Sequence, residues 1–276
     1  MTDPVIGTCP EFAVIGSGRL GTALATSLAA AGLRSSRVRA RDAAGAARVA
    51  AQLDELRVDH WDAPADGPWA ALVLVCVPDP EIETVARRLA PELGAGYTVL
   101  HTSGRLTSDV LAPCGRSGAA VGSWHPLQTF TGGLVSPRQW RGVPCAIEGD
   151  PEAVAAAEAL SVTLGACPWR IRPEVKPRYH AAAAVASNLT HLLVAGARDV
   201  MRSCGLPNDL GLWPLVRDST RSALEHPDLD GLTGALARGD DDAVRRHLES
   251  LPPTLREVYR VLAEALRRND ATDWLD

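Results

Sequence analysis

The stretch EFAVIGSGRLGTALATSLAAAG, residues Glu11 to Gly32, combines a short apolar run, a glycine-rich turn and an apolar repeat of helical period. This order predicts a strand, a tight turn and a helix. A glycine at 16 allows the turn, one at 18 lets the backbone approach a phosphate, and one at 21 lets the helix pack closely on the strand. The predicted dinucleotide site comprises Gly16, Ser17, Gly18, Arg19, Leu20 and Gly21. The alternative is a glycine-rich turn that only packs.

The predicted second strand, Arg37 to Arg41, bears on the choice of cofactor. Its end lies about 20 residues after the glycine-rich turn, where the ribose of a dinucleotide is recognised. An arginine there favours the 2′-phosphate of NADP, whereas an acidic residue favours the hydroxyl of NAD. Arg39 and Arg41 share one side of a strand of period two. We therefore predict NADP(H), with NAD less favoured. Asp42 keeps NAD open, although it can also cap a following helix.

Further apolar runs predict a parallel sheet whose strands alternate with helices. Ligands of such sheets lie beyond the carboxyl ends of the strands. Val77 and Pro78 follow one predicted strand, Ser103 follows the next, and these three are candidate cofactor contacts. His125 follows another strand and is a candidate catalytic residue, on either the cofactor or the substrate side. His101 fits a structural role better. The predicted strands are Ala70–Val77, Tyr97–His101, Ala119–Trp124, Gly142–Ile147 and Ala166–Ile171.

The composition changes at Arg172-Pro173, after which the sequence has the periodicity of helices. We predict an α/β fold, a Rossmann-type doubly wound, mostly parallel sheet followed by a smaller all-α domain. The predicted domains are residues 1–172 for dinucleotide binding and residues 173–276 for dimerisation and the substrate side. The predicted helices cover Val175–Ser203, Asn208–Glu225, Asp240–Ser250 and Thr254–Arg268.

A polar stripe runs along the first of these helices, in an alanine-rich context. At ~100° per residue, His180, Ser187 and His191 fall close to one line, with Asn188 beside it. A histidine can donate a proton to the alkoxide that forms when a ketone is reduced. We therefore predict His180 as the acid or electrostatic stabiliser and Asn188 as a residue that orients the substrate. The alternative is a contact between helices.

Bulk properties exclude several classes of function. The chain has 276 residues and a net charge of −5, without the basic runs of a nucleic-acid-binding protein. No apolar stretch approaches the ~20 residues that span a bilayer, and the N-terminus does not read as a signal peptide. Six cysteines are scattered without metal-binding spacing, so no metal site is expected. These features predict a cytoplasmic protein.

Five stretches carry a resemblance to a known family: GSGRLGTALA, HTSGRL, GSWHPLQTF, YHAAAAVASN and LTGALARGD. Together they resemble a bacterial Rossmann-like oxidoreductase family whose C-terminal helical domain long had no assigned function. That family belongs to the group of ketopantoate reductases, pyrroline-carboxylate reductases and 6-phosphogluconate dehydrogenases. The resemblance implies an NADPH-dependent reductase acting in an interdomain cleft, with some relatives thought to be alternative ketopantoate reductases. It also implies a homodimer.

The resemblance also implies site residues, with one departure from the ketopantoate reductase pattern. In that pattern a lysine is followed by asparagines four and eight positions later, and these positions fall on His180, Ala184 and Asn188. The lysine and one asparagine are therefore missing, and Lys176 lies one turn earlier as an alternative ammonium. Within LTGALARGD, Thr233 and Arg238 are candidate contacts for a substrate carboxylate.

Three functions remain open from the sequence. The first is an NADPH-dependent reductase of a small 2-oxo acid, with ketopantoate (2-dehydropantoate) as the first guess. The second is an imine reductase of the pyrroline-carboxylate type, which needs less of a proton donor because an iminium carries its own charge. The third is a protein that binds or senses NADP(H) without turnover.

Overall fold

The computed structural model describes residues 11–41, 44–45, 47, 58–61, 67–131, 137–206, 211–226 and 229–268. The chain divides into two compact units, Met1–Ala184 and Val185–Asp276. The first unit therefore extends beyond the predicted boundary at Arg172. The reason is that the helix beginning at Lys176 packs on the sheet of the first unit, where the Lys176 side chain is completely buried.

Eight strands of the described residues form one sheet in the first unit, in the order β3-β2-β1-β4-β5-β6-β7-β8. The neighbouring strands are parallel except for the antiparallel pair β6 and β7. The predicted mostly parallel α/β sheet is confirmed. The strands are β1 Glu11–Ile15, β2 Arg34–Ala40, β3 Val58–His60, β4 Leu72–Val75, β5 Thr98–His101, β6 Ala120–Pro126, β7 Pro144–Gly149 and β8 Cys167–Arg170.

The helices of the first unit cover both faces of this sheet. One core joins alternate residues of β1 with the first and fourth helices, and the other joins the remaining residues of β1 with the second helix. Buried on both faces, β4 is a continuous apolar run, as expected for a central parallel strand. These helices are α1 Arg19–Ala30, α2 Asp79–Leu89, α3 Ala112–Arg116, α4 Pro151–Leu164 and α5 Lys176–Ala184.

The strand–turn–helix predicted from the opening stretch is confirmed. Strand β1 ends at Ile15, helix α1 begins at Arg19, and the chain leaves the helix through Gly32 with a φ of 87°. The second strand begins earlier than predicted and ends one residue before Arg41. Asp42, which left NAD open in the prediction, lies outside the described residues.

The second unit is helical in its described residues. A π-helical turn, Val185–Leu189, precedes α6 Thr190–Ser203, which is followed by α7 Leu212–Glu225, α8 Asp241–Ser250 and α9 Pro253–Arg267. The long helix predicted over Val175–Ser203 agrees with the helical residues from Lys176 to Ser203, but the π turn within them has a different residue spacing. The alignment of His180, Ser187 and His191 on one line therefore does not apply. In the part of the chain described, no helix has the length and apolar character needed to cross a membrane.

Candidate active site

The glycine-rich turn lies at the carboxyl ends of three neighbouring strands. Gly16 donates its N–H to the carbonyl of Arg39 at 2.8 Å, and Cys76 donates to the carbonyl of Ile15 at 2.7 Å. Gly16 has a φ of 106°, and a Cβ on it would lie 2.4 Å from the carbonyl oxygen of Cys76. A Cβ on Gly21 would lie 1.9 Å from the carbonyl oxygen of Gly16. Both positions therefore require glycine, for the conformation of the turn and for the close packing of α1.

The amino end of α1 presents N–H groups to this turn. Gly18 occupies the N-cap position, and no described side chain caps the helix. A Cβ on Gly18 would meet nothing within 4 Å, so the space beside this residue is open. Uncapped N–H groups and the positive end of the helix dipole favour an anion. Of the other predicted contacts in this turn, Arg19 is exposed, and Leu20 packs against the core.

A cavity of about 530 Å³ lies beside the turn. Its wall includes several predicted cofactor contacts, namely Gly16, Ser17, Gly18, Arg41, Val77 and Pro78, together with Arg39. Sequence reasoning missed four other lining residues on α2: Glu81, Thr84, Val85 and Arg88. Their spacing of 0, 3, 4 and 7 places them on one face of the helix, a signal that the sequence carries.

The charged residues of the cavity are arranged around Trp61. The guanidinium of Arg39 lies 5.9 Å from the centroid of the Trp61 ring, and that of Arg88 lies 5.4 Å from it. Arg41 contacts Glu81, with 2.5 Å between Nη1 and Oε1. Three arginines and one glutamate therefore line the cavity, an excess of positive charge that suits a phosphate.

A second cluster joins the ends of β5 and β6 to α5. The His125 Nδ1 and the Tyr179 hydroxyl lie 2.9 Å apart. The His125 ring meets the rings of Tyr179 and His180 edge to face, at centroid distances of 5.6 and 5.9 Å. A Cβ on Gly104 would lie 2.6 Å from His180 Nδ1 and 2.8 Å from His125 Nε2. The glycine therefore lets the loop after β5 approach both imidazoles.

The environment of His125 favours one protonation state. Burial, together with smaller effects of the nearby His180 and Lys176, lowers the pKa of His125 to about 4. Burial also raises the pKa of Tyr179 to about 12, so its hydroxyl keeps its proton. The Tyr179 hydroxyl can then donate to Nδ1, which leaves the proton of neutral His125 on Nε2, beside Gly104. Tyr179 was not among the predicted site residues, although it directly precedes His180 in the sequence and both rings meet His125.

His101 and Ser103 are held in the turn after β5. His101 is completely buried, with its Nε2 3.1 Å from the carbonyl oxygen of Thr107, and its Nδ1 accepts the N–H of Ser103 at 3.1 Å. The Ser103 hydroxyl accepts from the backbone of residues 105 and 106. These bonds agree with the structural role expected for His101. The predicted cofactor contact Ser103 is not among the described residues that line the arginine-lined cavity.

Lys176 and Glu148 form a buried ion pair, with 3.3 Å between Nζ and Oε1. Lys176 also donates to the Ser103 carbonyl at 3.2 Å and to the Ser123 hydroxyl. Burial lowers the pKa of Lys176, and the carboxylate of Glu148 opposes that shift. The idea that Lys176 supplies a free ammonium in place of the missing lysine was therefore wrong, since its charge is already paired.

The other predicted site residues belong to the second unit. Asn188 lies exposed in the π turn, where its Oδ1 accepts the Ser187 hydroxyl at 3.2 Å. Thr233 and Arg238 are exposed in the segment before α8. Their roles toward a substrate stay predictions.

Two histidines with lowered pKa values, His101 and His125, predict a pH dependence of stability. Burial lowers the pKa of both His101 and His125 to about 4, whereas unfolded histidine titrates near ~6.5. Between these values the unfolded state binds protons that the folded state does not. The free energy of unfolding should therefore fall as the pH falls through this window, by up to about 1.4 kcal/mol per pH unit for each histidine.

Urea unfolding at several pH values between 7 and 5 measures this slope. His101→Gln should flatten it, whereas the same change at exposed His247 should leave it unaltered. Equal slopes for wild type and His101→Gln would contradict the assignment.

Two protein families match separate parts of the chain. Residues 8–126 match the Rossmann-like domain family. The glycine-rich turn, the arginine-lined cavity and His125 all lie within or at the end of this Rossmann-like domain. Residues 143–266 match DUF2520, a domain of unknown function. A search of the curated proteins found no match.

Solved structures resemble the chain over nearly its whole length. A Bacteroides fragilis protein, provisionally named an NADP oxidoreductase, is 23% identical with a TM-score of 0.80, covering 94% of this chain and 98% of its own. A Thermotoga maritima protein is 23% identical with a TM-score of 0.72, covering 95% and 99%. A reductive aminase from Aspergillus terreus, in complex with NADPH and ethyl-5-oxohexanoate, is 18% identical with a TM-score of 0.66, covering 95% of each chain. At these identities the likeness shows the shared fold.

Proposed function

We propose that this chain is an NADPH-dependent reductase of a small 2-oxo acid, with ketopantoate as the first substrate to test. One observation carries the proposal: the arginine-lined cavity and the His125–Tyr179–His180 cluster lie at the carboxyl ends of neighbouring parallel strands. An anion site for a dinucleotide and a set of proton-bearing side chains thus share one edge of the sheet. That edge is where open α/β sheets bind their ligands.

The residues of the cavity fit NADPH. The open N–H groups at Gly18 suit the pyrophosphate, and Arg41 suits the 2′-phosphate, to which a guanidinium can bind with two hydrogen bonds. The flat side chain of Trp61 offers a stacking surface for adenine. When bound, NADPH supplies the hydride for the reduction.

The histidine cluster supplies the polar groups that a carbonyl reduction requires. Neutral His125 directs an Nε2–H beside Gly104, and His180 Nδ1 is buried there without a hydrogen-bond partner among the described residues. An N–H donor at this place can stabilise the developing negative charge on a substrate oxygen. We assign His125 to this role and His180 to proton donation, with Asn188 as the orienting residue and Thr233 and Arg238 as carboxylate contacts.

An imine reductase is the second candidate, and the neutrality of His125 favours it. The lowered pKa of His125, about 4, leaves this imidazole uncharged at neutral pH. An uncharged site accepts an iminium, which brings its own positive charge, at lower electrostatic cost than a charged histidine would. The similar fold of a reductive aminase solved with NADPH supports testing this substrate class.

Oxidation of NADPH by the purified protein tests both candidates and the non-catalytic alternative. The panel should contain ketopantoate, other small 2-oxo acids and cyclic imines, followed at 340 nm, with NADPH affinity measured in parallel by fluorescence. Turnover of a 2-oxo acid supports the first candidate, and turnover of imines alone supports the second. Tight NADPH binding without turnover across the panel would instead indicate a binding or sensing protein.

Arg41→Ala should weaken the binding of NADPH but not that of NADH. Hydrogen bonds to charged groups contribute about 1.5–3 kcal/mol, so the Kd for NADPH should rise about 10- to 100-fold, with little change for NADH. Glu81→Gln is the matched control, because it removes the carboxylate that now contacts Arg41 and should strengthen NADPH binding. Equal losses for both cofactors in Arg41→Ala would place the 2′-phosphate elsewhere.

The helical unit supports a homodimer as the working assembly. Large apolar side chains on α6 and α7 are exposed in the single chain, including Leu192 at 65%, Trp213 at 65% and Leu224 at 82%. Exposed apolar side chains of this size favour burial against a partner. Sedimentation analysis should give twice the chain mass, and Leu224→Glu should shift the protein toward the monomer.

A further inference from the structure

The Lys176–Glu148 pair is fully satisfied in the interior of the first unit. The side chains of Lys176 and Glu148 are 0% and 2% exposed. The three protons of the ammonium match three acceptors: Glu148, the Ser103 carbonyl and the Ser123 hydroxyl. Glu148 in turn accepts the N–H of Ser108 at 2.9 Å and its hydroxyl at 2.7 Å. The proposed function assigns no role to the residues of this network.

Stability alone does not require a charged pair at this position. Apolar residues of similar volume often replace a buried ion pair without loss of stability, or with a gain, because desolvation offsets the attraction between the charges. What the pair adds is geometric definition. The ammonium links the loop after β5, through the Ser103 carbonyl, to Ser123 on β6 and Glu148 on β7, which are neighbours across the two strands.

The pair also fixes the face of α5 that meets His125. Lys176 is the first residue of α5, and Tyr179 and His180 follow at three and four positions. Residues at this spacing lie on one side of a helix. His125 and Ser123 lie on the same face of β6. Because the Lys176 ammonium is bound to Ser123 and Glu148, Tyr179 and His180 on the same side of α5 face His125.

We propose that Lys176 and Glu148 are positioning residues of the same site: they set α5 so that Tyr179 and His180 meet His125, and the Lys176 ammonium keeps a fixed positive charge near that imidazole. The assignment of this site as catalytic rests on the proposed function. The positions of Tyr179 and His180 against His125, and the charges around His125, are independent of the proposed function.

Several charged groups act on the His125 imidazole. Besides Lys176, the positive charge of a protonated His180 disfavours a second charge on His125, whereas the Asp79 carboxylate at the start of α2 favours it. Lys176 itself interacts with the carboxylates of Glu148 and Asp79. Loss of the ammonium should therefore raise the pKa of His125 from about 4 toward its ordinary value. The titratable and charged groups around this imidazole are Asp79, His101, Glu148, Lys176, Tyr179 and His180.

The decisive experiment is an NMR titration of the histidines in the purified full chain, with the His125 signals assigned by their loss in His125→Gln. It needs neither cofactor nor turnover. In the wild type, His125 should remain the neutral Nε2–H tautomer between pH 7 and 5.5. In Lys176→Met, its titration midpoint should rise, while staying below the ordinary histidine value because burial still lowers it. An imidazolium signal for wild-type His125 in this range would overturn the proposal.

The double variant Lys176→Met/Glu148→Gln covers the case in which Lys176→Met leaves an unpaired buried carboxylate and does not fold. It removes both charges and should show a raised midpoint as well. The matched control is Ser161→Ala, which removes a completely buried hydrogen bond with Trp124, the residue of β6 between Ser123 and His125. This control should leave the His125 midpoint unchanged. A folded double variant with a wild-type midpoint, or an equal shift in Ser161→Ala, would overturn the proposal.

Kinetics then separate this proposal from the proposed function. With the substrate found in the panel, Lys176→Met should lower kcat by about 10²-fold, as a small misplacement of reacting groups does, with the Kd for NADPH unchanged. A shifted midpoint in a protein that turns over no substrate would refute the reductase and leave the positioning role intact. If the enzyme reduces a substrate but the His125 midpoint does not shift in Lys176→Met, the reductase assignment stands and the positioning role is refuted.

Discussion

Gly21→Ala is expected to weaken NADPH binding by orders of magnitude and to lower the thermal stability of the protein. The added Cβ would lie 1.9 Å from the carbonyl oxygen of Gly16 and 3.3 Å from the Cβ of Cys76. The first contact is with backbone, so either α1 must move away from β1 or the turn must open. Overpacking of this kind typically costs about 1–3 kcal/mol.

The loss of affinity follows from the N–H groups that the turn aims at the cofactor. Two backbone hydrogen bonds to a phosphate, at about 1.5–3 kcal/mol each, correspond to about 10²- to 10⁴-fold in Kd. Fluorescence titration with NADPH and differential scanning calorimetry measure the two effects. A Gly21→Ala protein with unchanged melting and unchanged affinity would mean that the turn is neither tight nor occupied by the phosphates.

Gly18→Ala is the matched control for this experiment. A Cβ on Gly18 meets nothing within 4 Å, and its backbone does not have a positive φ. The melting temperature should therefore stay within the error of the wild type. Because Gly18 lines the cavity, the added methyl group should take up space there, and the affinity for NADPH should fall while the fold is kept. The pair thus separates packing of the turn from contact with the cofactor.

The parts of the site that the sequence predicted are those built from local contacts. The glycines at 16 and 21 act within one strand–turn–helix unit, so their spacing was enough to assign their roles. Arg39 and Arg41 were found because the end of the second strand follows the turn at a known distance along the chain. Glu81 and Arg88 share a helix face at the spacing of an α-helix, so the sequence carries the signal for their place in the cavity.

The parts that were missed depend on contacts between distant segments. Tyr179 meets His125 across 54 residues of sequence, and nothing local marks that pairing. Glu148 was missed because the sequence predicted a mostly parallel sheet without indicating which pair of strands is antiparallel. In the antiparallel pair of β6 and β7, Glu148 lies opposite Ser123, within reach of Lys176. In the described residues between β6 and β7, a short 3₁₀ turn, Pro137–Gln139, takes the place of a crossover helix, which is the physical reason for the reversal.

His125→Ala is expected to lower kcat by about 10²- to 10³-fold, the range observed when one hydrogen-bond donor to a developing oxyanion is removed. The reason is the position of Nε2, whose proton lies beside Gly104 because the Tyr179 hydroxyl occupies Nδ1. Steady-state kinetics with the substrate found in the panel give kcat and KM, and the Kd for NADPH should not change. Tyr179→Phe should lower kcat less than His125→Ala does, since it removes the hydroxyl that fixes the His125 tautomer but keeps the imidazole.

The second unit offers a matched control for His125→Ala. His247 Nδ1 lies 2.9 Å from the Tyr259 hydroxyl, and the two rings meet edge to face at 5.8 Å, much as His125 meets Tyr179. That pair is exposed and far along the chain from the strand ends, so His247→Ala should leave kcat unchanged. If both substitutions lowered kcat alike, the His–Tyr contact would be a stabilising device rather than part of the chemistry. A loss confined to His125→Ala would tie the reaction to the imidazole beside Gly104.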